Sequence, residues 1–152
     1  MSDAADRPSP AHDAPDAASP PSPPEVGSIG WLDLTVPNAG SVRDFYAAVV
    51  GWDHTPVPMR DGADEYEDFC MMPPGSEAPV AGVCHARGTN AGLPATWMIY
   101  VVVANLDTSV AACTGCGGHV VLGPKDMPGH GRYAICRDPA GAAFGMFEYA
   151  KR

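Results

Sequence analysis

The chain has no excess of basic residues, no long apolar run and no signature of a nucleotide loop or an activated nucleophile. Nine Lys and Arg stand against eighteen Asp and Glu, for a formal charge of −9, and a surface of that sign repels the phosphates of nucleic acid. No stretch approaches the roughly 20 apolar residues that cross a bilayer. The first residues show neither the basic start nor the apolar run of a secretory leader. The expectation is a soluble, cytoplasmic protein with neither nucleic acid nor membrane as a partner. Five cysteines (70, 84, 113, 116 and 136) are an odd number without a leader, so no disulfide framework is expected. Cys113 and Cys116 form a CxxC, but late in a helical pattern and without the second ligand pair that a zinc site wants. GxSxG, Walker A and a GxGxxG opening a helix are all missing. An enzyme built on this chain would rely on acid–base chemistry from single side chains such as Asp33, Tyr100 or a histidine.

What is present divides into a tail and a domain. Residues 1–26 hold seven prolines and no aromatic, Leu or Ile, too little apolar surface to offset the entropy of ordering, so this tail is expected to be disordered. The remainder, residues 27–150, is long enough for one domain with a real core. It is organised around residues 29–52, IGWLDLTVPNAGSVRDFYAAVVGW, in which a strand leads into a helix, and a weaker copy follows 67 positions later as TWMIYVVVANLDTSVAACTGCGGH. At this offset Val36 falls on Val103, Asn38 on Asn105, Ser41 on Thr108 and Gly51 on Gly118. Asn38 and Asn105 are expected to cap the helix that follows, and Gly51 and Gly118 to end it in the left-handed conformation. In the first helix Val42, Phe45, Tyr46, Val49 and Val50 form one apolar stripe to lay on a sheet. In the second, Val110 and Cys113 are the clearest inward positions.

Three strand candidates follow each helix. They are 52–59, 65–72 and 79–86 in the first unit, and 119–122, 132–136 and 142–149 in the second, with residues 97–103 as a strand buried on both faces. Strand one alternates, with Leu32, Leu34 and Val36 toward the helix layer and Trp31, Asp33 and Thr35 opposite. The order strand, helix and three strands thus occurs twice. This is an α+β chain of two βαβββ units, at about 27–88 and 95–150.

The segment GWLDLTVPNAGSVRDFYAAVVGW, paired with a closing RDPAGAAFGMFE, resembles the vicinal oxygen chelate superfamily of glyoxalases, extradiol dioxygenases and bleomycin- and fosfomycin-resistance proteins. The segments DMPGHGRYA and DPAGAAFG further resemble a glyoxalase-like branch. The resemblance covers residues 27–150 and implies two units side by side, their sheets curling around one cavity, often in a homodimer. In metal-dependent members a His or Gln near the start of each unit's first strand, and a Glu on its last strand, hold a divalent ion. Carried over, these positions fall on Trp31 and Met98 and on Gly82 and Gly145. None is a donor of the kind that zinc, iron or manganese takes; a Met thioether suits soft metals only. No cofactor is therefore expected.

The resemblance and the alternation together give a cavity lined by Trp31, Asp33, Cys84, Met98, Tyr100 and Phe147, the apolar and aromatic make-up of a small-molecule pocket. A carboxylate there needs a partner or a raised pKa, and Arg132, Tyr100 or a ligand's donor are the candidates for Asp33. The segment from Gly123 to Gly131 reads either as a plain turn or as a lid at the cavity mouth, with His130 or Arg132 touching an anionic or oxygen-rich ligand. His85, out of phase with Gly82 and Cys84, should face the helix side or the rim. The reading this supports is a domain binding a small aromatic or natural-product ligand without the usual metal. Two alternatives remain open: a lyase, isomerase or dioxygenase with a relocated metal site built on Asp33 and a histidine, and an interaction module whose cavity is filled.

Overall fold

The computed structural model describes residues 22–151; the disorder expected of the tail falls, for residues 1–21, outside them. Each unit opens with a strand and a helix: β1 (Ile29–Val36) and α1 (Ala39–Val50), then β5 (Trp97–Val102) and α2 (Leu106–Gly115). Three strands complete each one, β2 (Asp53–Asp61), β3 (Asp64–Met72) and β4 (Ala81–His85) in the first, and β6 (His119–Met127), β7 (Gly131–Arg137) and β8 (Ala143–Tyr149) in the second. All eight strands join one sheet in the order β2-β3-β4-β1-β5-β8-β7-β6. The two first strands pair antiparallel at its centre, and each pairs in parallel with the last strand of its own unit. The sheet curls into a half-barrel. Its outer strand β2 carries Pro56 and Pro58, residues that an edge tolerates and a central strand does not.

Alternation places the core. Leu34 and Val36 of β1 pack with Phe69, Met71, Val83 and Ala39, covered by Val42 and Tyr46 of α1. In the second unit Ala134, Cys136 and Met146 pack against Leu106, with Val110 and Cys113 completing the layer. Tyr46, Trp52 and Trp97 form an aromatic cluster beneath α1, and the Trp97 indole N–H donates to the Tyr46 hydroxyl at 2.9 Å.

Four expectations are corrected here. The stripe on α1 is narrower than its pattern: Val42 and Tyr46 face the sheet, whereas Phe45, Val49 and Val50 are at least half exposed. A twelve-residue helix lies on the sheet along one row, and the tryptophans already fill the space beside it. The two asparagines also differ. Asn105 Oδ1 accepts from the Thr108 N–H at 2.9 Å, whereas the Asn38 side chain makes no capping bond. Asn105→Ala is therefore expected to cost about 1 kcal/mol and Asn38→Ala close to nothing, as read from denaturant midpoints of the two variants. At the helix ends, Gly51 adopts the left-handed conformation (φ 75°), but in the second unit it is Gly117 (φ 92°) that does so. Gly118 sits under the Cys113 thiol and the Arg137 carbonyl, where no Cβ would fit. Finally, β6 runs through the segment read as a turn or a lid, with irregular register between Val120 and Lys125, and turns tightly at Pro128–His130.

Candidate functional site

The helices cover one face of the sheet, and the other is concave. Residues paired across neighbouring strands share a face, so register alone assembles this surface. Trp31 lies opposite Tyr100, and Asp33 opposite Met98 on one side and Gly82 on the other. Cys70 pairs with Gly82, Tyr100 with Gly145, and Tyr133 with Phe147. Gly82, Met98, Ile135 and Gly145 are fully buried as the floor, while Trp31, Asp33, Cys84, Tyr100, Tyr133 and Phe147 are half-buried above it. Six of the eight predicted site residues thus converge, with Met98 beneath the surface rather than on it.

The other two do not. Arg132 has the strand phase of Ala134 and Cys136, which turns it to the helix face. There it donates to both carboxylate oxygens of Asp107 in the first turn of α2, at 2.9 and 3.2 Å, and so cannot partner Asp33. His130 is exposed at the tip of the β6–β7 hairpin.

The geometry around Asp33 is specific. The Trp31 indole N–H donates to Asp33 Oδ1 at 2.7 Å, and the Cys84 thiol points at the same oxygen from 3.9 Å. Trp31 is a partner that sequence reasoning missed, although two residues apart on one strand necessarily share a face. Burial lifts the Asp33 carboxyl from 3.8 to about 6, against the pull of the Trp31 hydrogen bond. Burial also raises the Cys84 thiol and the Tyr100 phenol, each with a further push from Asp33. Tyr133 and Cys70 shift upward for the same reasons. Asp68, also buried, accepts from the His85 backbone N–H at 2.8 Å and lies 3.2 Å from its Nδ1. The His85 ring also meets those of Tyr66 and Phe69, the latter part of the core under α1, and its dyad with Asp68 was not visible in the spacing.

The units repeat this arrangement. Asp33 and Tyr100 are equivalent by the 67-residue offset, and each leans sideways onto a glycine of the neighbouring last strand. A methyl group at Gly82 would overlap the Asp33 carboxylate, and one at Gly145 would overlap the Tyr100 ring. The space from which a Glu side chain would rise toward a metal is occupied in both units. With Trp31 and Met98 at the other two positions, the residues present do not fit a divalent ion. Among the described residues no three His, Cys, Asp or Glu side chains converge into a group that could hold a metal ion.

Two open grooves mark the surface elsewhere, one of about 530 Å³ at the β2–β3 hairpin (Met59, Arg60, Tyr66) and one of about 320 Å³ beside the β6–β7 hairpin (Met127, Arg132, Tyr149). Both lie at hairpin ends, among charged residues already satisfied by solvent or by one another. The concave face, where a buried carboxylate meets aromatic rings, is the better candidate. No helix among the described residues is long and apolar enough to cross a membrane.

Comparison with known proteins agrees with this architecture. The glyoxalase-like domain matches residues 31–147. CFP32 of Mycobacterium tuberculosis is 30% identical over 126 residues, which span 83% of this chain and 46% of CFP32. The anthracycline biosynthesis protein DnrV of Streptomyces peucetius is 30% identical over 129 residues, 80% of this chain and 46% of DnrV. The chain therefore spans about half the length of the curated relatives it matches. Among solved structures, the Mn(II)-bound glyoxalase from Novosphingobium aromaticivorans superposes with a TM-score of 0.51 at 20% identity, over 84% of this chain and 42% of that one. On its sequence match and its fold together, the chain belongs to the glyoxalase-like domain family of the vicinal oxygen chelate superfamily.

Proposed function

We propose that this chain binds a small, flat aromatic ligand on its concave face without a chelated metal, and holds it rather than transforming it. The observation that carries this reading is the paired replacement in the two units: glycines at the last-strand positions, with Asp33 and Tyr100 laid across them. A face floored by Gly82, Ile135 and Gly145 and bordered by Trp31, Tyr100, Tyr133 and Phe147 offers rings for stacking, each such contact contributing about 0.5–1.5 kcal/mol beyond area burial. The relative DnrV is by name an anthracycline biosynthesis protein, and an anthracycline is a fused aromatic ring system, a body of the shape that this face would take.

The test is titration of the EDTA-treated protein with 1,8-dihydroxyanthraquinone, followed by tryptophan fluorescence and calorimetry. One ligand per chain is expected, with Tyr100→Ala weakening binding roughly ten-fold, the equivalent of about 1.4 kcal/mol. A strict requirement for added Zn(II) or Mn(II) would return the chain to oxygen-chelate chemistry. No saturable binding would favour an interaction module.

A further inference from the structure

We propose that the ligand carries a protonated amine, and that Asp33 Oδ2 is the seat of its ammonium group. This rests on the reading of the concave face as an aromatic-ligand site and names the charge that such a ligand bears.

The two oxygens of Asp33 are not equivalent. Oδ1 takes the Trp31 indole N–H and faces the Cys84 thiol, whereas Oδ2 has no hydrogen-bond donor among the described residues. No buried side-chain oxygen or nitrogen lacks a partner, so Oδ2 is not sealed in the protein and opens onto the concave face. The carboxylate also lacks a counter-charge. Arg43, Arg60, Arg87 and Arg132 are each engaged with carboxylates elsewhere, and no basic side chain of the described residues pairs with Asp33. Asp68, buried on β3 behind it, adds charge of the same sign.

A half-buried anion with one free oxygen, a second anion behind it and no cation in reach is best neutralised by a cation brought in with the ligand. The rings beside it point to the same class. Trp31 and Tyr100 stand beside Asp33 on the same face, and an ammonium that sits at Oδ2 and reaches an aromatic ring gains from both. A neutral donor would satisfy the hydrogen bond and leave the charge; an anionic ligand would meet two carboxylates. The occupant is an aryl-alkyl ammonium compound, its ring on the floor and its nitrogen at Asp33.

Charge is isolated from shape by three naphthalene probes of one size: 2-naphthylmethylamine, 2-naphthylmethanol and 2-naphthoate. By calorimetry at pH 7.5 the amine should bind at least ten-fold more tightly than the alcohol, and the naphthoate most weakly. In Asp33→Asn, isosteric and still able to accept from Trp31, the amine should lose its advantage while the alcohol keeps its affinity. A second readout needs no variant. Between pH 8 and 5 the amine's affinity should fall as Asp33 takes up its proton, and the alcohol's should not. Cys84, Cys70, Tyr100 and Tyr133, which face Asp33 from β4, β3, β5 and β7, are all raised and stay neutral over this range. The profile is read against Asp33→Asn, which retains His85 and Asp68. Equal binding of amine and alcohol, or preference for the naphthoate, would overturn the ammonium seat and leave the aromatic site standing. Failure of all three probes to bind would remove both.

Discussion

Asp33→Asn is expected to make the ligand-free chain more stable at pH 7.5, by roughly 1–3 kcal/mol. Such a gain from removing a hydrogen-bonded side chain follows from the sign of its shift. The carboxyl titrates near 3.8 when unfolded and at about 6 in the fold, chiefly through burial. Between these values the folded chain holds a proton that the unfolded chain has released. Stability therefore declines as pH rises from about 4 to about 6, and the loss persists above that window. The amide has no proton to lose and keeps an oxygen for the Trp31 N–H. Denaturant unfolding of both proteins from pH 4.5 to 8 should show a difference that grows through pH 6 and then levels. A constant offset, or a less stable variant at pH 7.5, would show that the carboxylate is adequately neutralised in the free protein. With an arylalkylamine present the order should reverse, because the ammonium stabilises the ionised form. A residue that costs stability empty and restores it when occupied has the signature of a binding group rather than of a core one.

Much of this face was legible in the sequence because strand periodicity is rigid. Once β1 alternates, Trp31 and Asp33 must share a side, and the 67-residue repeat carries the same assignment to Met98 and Tyr100. The order of strands followed from the repeat together with the family resemblance of its first and last segments. Local rules did less well where tertiary packing chooses among equals. Asn38 and Asn105 are the same residue at equivalent positions, yet only one caps, since backbone torsions at the helix start decide it. Gly117 and Gly118 are adjacent glycines, and the choice between them was made by Cys113 packing against the second. Arg132 was assigned to the wrong face although its phase with Ala134 and Cys136 was readable. The dyad of Asp68 and His85 had no signal at all, because it depends on β4 diverging from β3 at its last residue, where the Asp68 side chain accepts the N–H that a ladder would otherwise take.

Gly145→Ala is expected to destabilise the chain by about 1–3 kcal/mol, a fall in melting temperature of roughly 5–10 °C, although alanine is ordinarily the better residue in a strand interior. The backbone is not the reason, for Gly145 is absent from the glycines with positive φ and any residue can adopt its conformation. The loss comes from the Tyr100 ring, which lies flat on this glycine from the neighbouring strand and leaves no room for a methyl group. An aromatic side chain laid across a glycine of the next strand is a recognised way of restoring the packing that a missing side chain gives up. Here it also levels the position where the family's metal-dependent members raise a carboxylate. A mutant cycle separates this account from a general intolerance of the site. If the ring is the obstacle, Gly145→Ala should cost much less in a Tyr100→Ala background, with a coupling of about 1–2 kcal/mol. Additive losses would mean that Tyr100 does not lie across Gly145, and the levelled floor would go with it. Gly82→Ala makes the same test in the first unit. Its methyl should lift the Asp33 carboxylate away from β4 and toward water, and the carboxyl should then titrate closer to 3.8. Loss of packing at both glycines, with a pKa change at one of them, would tie the absence of a metal carboxylate to the presence of Asp33 and Tyr100, since neither pair of residues fits the sheet unless the other gives way.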